Sequence, residues 1–145
     1  MIFVNYDKDE LSDLKDEFKV LIEIFPSYPA EIVFKNGFEN KMAELFDGIV
    51  INKNNEKIDI KTQFSGKTIG IYFSAHWCGP CRRFTPILSE FYKNYHESKN
   101  FEIVFLSSDS DLSSFKSYHK EMPWLALPFN KKNIVVSKFI FLLFF

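Results

Sequence analysis

Two apolar runs of strand length bracket a segment of helical period, and that arrangement admits few folds. Residues 68–74 read TIGIYFS and residues 101–106 read FEIVFL. Both are nearly continuous in apolar, β-branched and aromatic residues, and both are too short for an independent helix. Each suits a strand buried on both faces. Between them, from Pro80 onward, Phe84, Ile87, Leu88, Phe91, Tyr92 and Tyr95 recur at helical spacing. Strand, helix, strand in this order is a βαβ unit. Pro86 falls inside the helix, where a kink is expected.

The flanks extend the unit. Residues 49–51 (IVI) and 58–60 (IDI) enclose the polar run 52–57, the pattern of a hairpin. Residues 107–111 (SSDSD) can cap a further helix with Leu112, Phe115, Tyr118 and His119 on one side, until Pro123 stops it. Near the start, Leu11, Leu14, Phe18, Leu21, Ile22 and Phe25 form the stripe of an amphipathic helix over 9–25, with Asp9 or Ser12 as its cap and Pro26 and Pro29 at its end. That helix packs on the domain or on a partner, and none of its side chains suggests chemistry. After Asn130 the composition changes to KKNIVVSKFIFLLFF, whose longest unbroken apolar run is the seven residues 139–145. A membrane span needs ~20, so no transmembrane helix is expected.

A chain of 145 residues has the length of a single domain, and with 46% hydrophobic residues it can build a real core. Nineteen acidic residues nearly balance eighteen basic ones, and no basic stretch interleaves with aromatics, which argues against nucleic acid as the main partner. The eighteen phenylalanines reflect either a codon bias toward A and T or an aromatic binding surface, and composition does not choose between them. The start has no basic region followed by an apolar stretch of signal-peptide length, so export by that route is not indicated. The expected setting is the cytoplasm, with the nucleus as the alternative.

Only two cysteines occur, Cys78 and Cys81, which rules out a disulfide-stapled secreted scaffold. They lie in WCGPCR (77–82), where the first buried strand gives way to the helix. At a helix N-terminus the first cysteine faces unpaired N–H groups and the positive end of the dipole, both of which stabilise a thiolate. Cys78 is therefore the candidate nucleophile. Cys81, one turn inward and more sheltered, can attack a mixed disulfide at Cys78 and so acts as the resolving thiol. Gly79 and Pro80 keep the connection tight, and Pro80 loses least by its missing N–H in the first turn.

Blander readings of these residues stand beside the redox one. With His76 the cysteines could form part of a zinc site, although the other histidines, His96 and His119, fall on later elements. The two thiols could also be structural and inert. Trp77 is either core packing or a lid beside the thiols that contacts substrate. The only two arginines, Arg82 and Arg83, are either solvated on the helix or help hold an anionic thiol substrate.

YFSAHWCGPCRRFTP (72–86), FEIVFLSSD (101–109) and MPWLALPF (122–129) together resemble the thioredoxin superfamily, and within it the tryparedoxin and nucleoredoxin branch. The last segment is the most specific to that branch. The likeness covers 42–130 and divides the chain into an N-terminal extension (1–41), a partial thioredoxin-like domain (42–130) and an atypical hydrophobic tail (131–145). It implies an α/β fold, a thioredoxin-like βαβ sheet with flanking helices, without the usual C-terminal strands and helix. It further implies thiol–disulfide oxidoreductase activity, reducing protein or small-molecule disulfides through Cys78 and Cys81, with Trp77, Gly79, Pro80 and Arg82 bordering the substrate. No metal or organic cofactor is implied, only an external dithiol or reductase as electron donor. The rival reading is a non-catalytic interaction fragment.

Three departures from the family pattern matter. Gly79 stands where the branch commonly has Pro, with a consequence for the reduction potential. Tyr72 stands where thioredoxins carry a buried acid, which agrees with the branch and leaves resolution to rely on water. Finally, the family continues past MPWLALPF into a helix and a strand that begins with a cis-proline loop, and Met122-Pro123 is not assigned that role. Without that strand, residues 68–74 are expected at an uncovered edge, a liability for aggregation that the uncharged run 139–145 would share. The expected outcome is instability and poor activity rather than a tail that folds back as a substitute.

Overall fold

The computed structural model describes residues 2–4, 46 and 48–131. The helix expected over 9–25 and the tail from 132 onward lie outside the described residues. Among the described residues six strands form one sheet: β1 (Ile2–Val4), β2 (Ile49–Ile51), β3 (Lys57–Asp59), β4 (Thr68–Ser74), β5 (Phe101–Ser107) and β6 (Leu125–Ala126), in the order β1-β4-β5-β6-β2-β3. The described α-helices that accompany them are α1 (Ile60–Phe64), α2 (Gly79–Tyr95) and α3 (Leu112–His119). The α/β sheet with flanking helices expected from the sequence is present.

The centre of the fold is the βαβ unit. β4 and β5 pair in parallel from Thr68 opposite Phe101 to Ser74 opposite Ser107, and α2 crosses between them. Side chains alternate between two apolar layers, as the pleat requires. Tyr72, Phe101, Ile103 and Phe105 enter the layer shared with Phe84, Leu88, Phe91 and Tyr92 of α2 and Phe115 and Tyr118 of α3. Ile69, Ile71, Val104 and Leu106 enter the opposite layer, with Ile60 and Phe64 of α1. Both faces are covered, which is why these strands read as continuous apolar runs.

The hairpin forms with Ile49 opposite Asp59 and Ile51 opposite Lys57. Its second strand ends earlier than its apolar pattern suggests. Asp59 Oδ1 accepts the N–H groups of Lys61 at 2.8 Å and Thr62 at 3.3 Å, capping α1 and drawing Ile60 into the helix. Asp111, at the end of SSDSD, likewise caps α3 through the Ser114 N–H at 2.8 Å. α2 runs unbroken through Pro86.

MPWLALPF supplies β6, which pairs in parallel with β5 and antiparallel with β2. Pro123 and Pro128 flank it, and both lack the N–H a ladder needs, so the strand is short although it lies inside the sheet.

One expectation is corrected. The strand 68–74 does not present an uncovered edge: β1 pairs antiparallel with it, Ile2 opposite Ile71 and Val4 opposite Ile69. The chain's own first strand takes up backbone groups that would otherwise face solvent or another chain. Among the described residues no helix is long and apolar enough to cross a membrane.

Candidate active site

The parallel register of β4 and β5 brings Ser74 and Ser107 side by side, so the segments that leave the two strands must meet just beyond the sheet. There the Ser108 N–H donates to the Ser74 carbonyl at 2.8 Å and the His76 N–H donates to Asp109 Oδ1 at 2.8 Å. Asp109 is fully buried, and its other oxygen accepts the Ser107 hydroxyl at 2.8 Å. A buried carboxylate needs such donors to offset its lost hydration. Asp109 thus clamps the turn that delivers the chain to Cys78, a role not foreseen from the sequence. The register of two adjacent parallel strands was the available signal.

Cys78 is the N-cap of α2, with an extended backbone. Its N–H donates to the Ala75 carbonyl at 3.0 Å, its carbonyl accepts from the Arg82 N–H at 3.0 Å, and its Sγ accepts from the Cys81 N–H at 3.3 Å. The sulfur therefore stands where the orphan donors and positive end of a 17-residue helix are felt. Cys78 and Cys81 are joined as a disulfide with their Cα atoms 5.2 Å apart. Cys78 is half-buried and Cys81 only 6% exposed, so Cys78 is the more accessible of the two.

Trp77 is 72% exposed, so core packing does not describe it; its indole Nε1 points to the Ser108 carbonyl at 3.5 Å, and the ring stands in solvent beside the disulfide. Gly79 and Pro80 are exposed in the first turn. A Cβ at Gly79 would meet nothing within 4 Å, so sterics do not demand glycine there. Arg82 and Arg83 are exposed. Among the described residues no three His, Cys, Asp or Glu side chains come together as a metal site would need.

Under Cys81 lies a polar floor. The Tyr72 hydroxyl donates to the Cys81 carbonyl at 3.3 Å and lies 3.0 Å from Thr85 Oγ1. Burial pushes the phenol far above its ordinary range, so Tyr72 stays protonated and serves as a donor, never as a base. Nearby, the Asp111 carboxyl is held below its usual value, first by the Ser114 N–H, then by the Ser114 hydroxyl, with a smaller share from His76. Thr85 and Tyr118 also reach this floor and were not singled out from the sequence; each looks locally like a core position of an amphipathic helix.

A family model described as thioredoxin-like matches residues 66–139, just over half the chain. The chain is 56% identical over 70 residues to tryparedoxin of Trypanosoma brucei brucei, covering 48% of this chain and 49% of that protein. It is 44% identical over 87 residues to nucleoredoxin of Homo sapiens, covering 59% of this chain and 20% of that protein. The chain thus spans about half the length of the first relative and a smaller share of the second. Among solved structures it is similar to tryparedoxin II complexed with glutathionylspermidine, with a TM-score of 0.63 and 38% identity over 68% of this chain and 69% of that one. A dithiol pair at the start of a helix that crosses between parallel strands, matched by family, sequence and structure alike, places this chain in the thioredoxin-like family, among homologues of tryparedoxin and nucleoredoxin.

Proposed function

We propose that the chain is a thiol–disulfide oxidoreductase that reduces protein or low-molecular-weight disulfides. The observation that carries this reading is the Cys78–Cys81 disulfide at the N-terminus of α2, half-buried on one sulfur and sheltered on the other. In the reduced protein the Cys78 thiolate attacks a substrate sulfur, forming a mixed disulfide and releasing one substrate thiol. The Cys81 thiolate then attacks Cys78 Sγ, releasing the second thiol and leaving the intramolecular disulfide. Two electrons pass to the substrate, and an external dithiol or reductase returns them. The proton of Cys81 leaves to water, because Tyr72 beneath it is a protonated donor.

Trp77 and Arg82 fit the substrate side of this reaction. The exposed indole offers an apolar surface beside the disulfide, and the exposed guanidinium on the first turn suits an anionic thiol. The glutathionylspermidine complex of a structural relative supports a small thiol conjugate as electron donor. A reducing compartment, the cytoplasm or the nucleus, would keep the pair cycling.

The test is a disulfide-reduction assay with dithiothreitol as donor. Cys78→Ser is expected to abolish turnover, whereas Cys81→Ser accumulates a mixed disulfide visible by mass spectrometry. Equal residual turnover in the two variants would overturn the roles, and an unmodified chain without turnover is what an interaction fragment would give.

A further inference from the structure

Pro86 removes a donor from the helix that carries the cysteines. It has no N–H for the Arg82 carbonyl one turn earlier, and its ring crowds that carbonyl. The adjoining Cys81 carbonyl is held by two side chains, one from α2 itself and one from β4. Thr85 Oγ1 donates to it at 3.0 Å and the Tyr72 hydroxyl donates to it at 3.3 Å. The Tyr118 hydroxyl in turn lies 2.6 Å from Thr85 Oγ1 and 3.0 Å from Ser74 Oγ. Ser74, Tyr72, Thr85 and Tyr118 are all buried.

The Cys81 carbonyl can only accept, so the hydroxyls beside it form a connected row that ends on it. Thr85 Oγ1 is within hydrogen-bond distance of the Cys81 carbonyl, of the Tyr72 hydroxyl at 3.0 Å and of the Tyr118 hydroxyl, and Tyr118 in turn of Ser74 Oγ, with either oxygen of each hydroxyl pair able to donate. Connected hydrogen bonds polarise one another and define a geometry together. This row ties β4, α2 and α3 to the backbone of the one residue whose sulfur must meet Cys78.

We propose that Thr85 and Tyr118 are positioning residues for the resolving cysteine, holding the Cys81 backbone so that its sulfur faces that of Cys78. The kinetic consequence rests on the oxidoreductase reading; the consequence for the disulfide equilibrium rests on the Cys78–Cys81 pair alone.

The test uses Thr85→Val, which keeps the shape and removes the hydroxyl, Tyr118→Phe, and Thr85→Ser as the variant that restores the hydroxyl. Equilibrated with glutathione redox buffers, Thr85→Val and Tyr118→Phe are expected to form the Cys78–Cys81 disulfide about tenfold less readily, a shift of about 30 mV. Thr85→Ser is expected to stay near the unmodified chain. In single turnovers with a test disulfide, attack by Cys78 should keep its rate while release of the second thiol slows. If Thr85→Val fails to melt cooperatively, Thr85→Ala takes its place in the same measurements. A disulfide equilibrium unchanged in both hydroxyl deletions overturns the proposal, as does equal slowing of attack and release, which would mark general loosening. Should the unmodified chain show neither phase, the oxidoreductase reading falls, and the glutathione equilibrium still decides the positioning role.

Discussion

His119 lies on the inner side of α3, 3% exposed, with Nε2 3.1 Å from the Trp124 carbonyl. Facing an acceptor, that nitrogen carries the hydrogen. Burial pushes the imidazole pKa down and outweighs the carbonyl, which favours the charged form. The unfolded chain therefore binds a proton more readily than the folded one. Stability contributed by neutral His119 is complete above the ordinary value of about 6.5 and is lost as pH falls from there toward the lower folded value. Urea unfolding at pH 7.5 and 5.5 should show a loss that His119→Gln lacks, at most about 1.4 kcal/mol per pH unit; an equal loss in the variant would refute it. At this scale the cysteines were legible from spacing and context, whereas Trp77 was not. An aromatic next to a buried strand suits a core or a surface equally, and its 72% exposure is decided by where the turn after β4 points.

Among the elements, β6 and the residues before it carry more than their length suggests. Met122, Trp124, Leu125, Ala126 and Leu127 are all buried, and the Leu127 N–H donates to the Phe105 carbonyl at 2.9 Å. Trp124 meets Tyr72 at 5.8 Å and Tyr92 at 5.7 Å between ring centroids, so it joins β4 to α2 beneath the site. Trp124→Ala should cost about 3–5 kcal/mol, the range for emptying a large core position. Trp124→Phe should cost clearly less. Among the described residues the indole Nε1 is buried without a hydrogen-bond partner, and removing an unsatisfied donor returns about 1–3 kcal/mol of desolvation. Chemical denaturation of the two variants checks this, and equal losses would contradict it. The segment could be quoted as a family likeness, but its two-residue strand has no periodicity to announce it. Its pairing depends on β5 and β2 already being in place.

For the whole molecule, the edges of the sheet set the risk of association. β1 covers β4 over Ile69, Gly70 and Ile71. Removing residues 1–4 should uncover those backbone groups and raise concentration-dependent association relative to the full chain, as measured by light scattering; no change would show that β1 does not guard the edge. The expectation of an open edge failed because it considered only the family's missing strand, and three residues at the far end of the chain carry no pattern that names their partner. What could be read in advance is local: the two buried strands, the helix between them, the hairpin, a cap within residues 107–111 and the cysteine pair at the start of α2. Periodicity, capping and motif spacing act between residues a few positions apart, and those interactions survive in any fold that keeps the element. The clamp of Asp109 on His76, the contacts of Tyr118 with Ser74 and Thr85, and the seat of β1 on β4 join residues 33, 44, 33 and more positions apart. Only the register of parallel strands and the packing of α2 and α3 over one face bring those groups within hydrogen-bond reach, and no stretch of the chain encodes that meeting by itself.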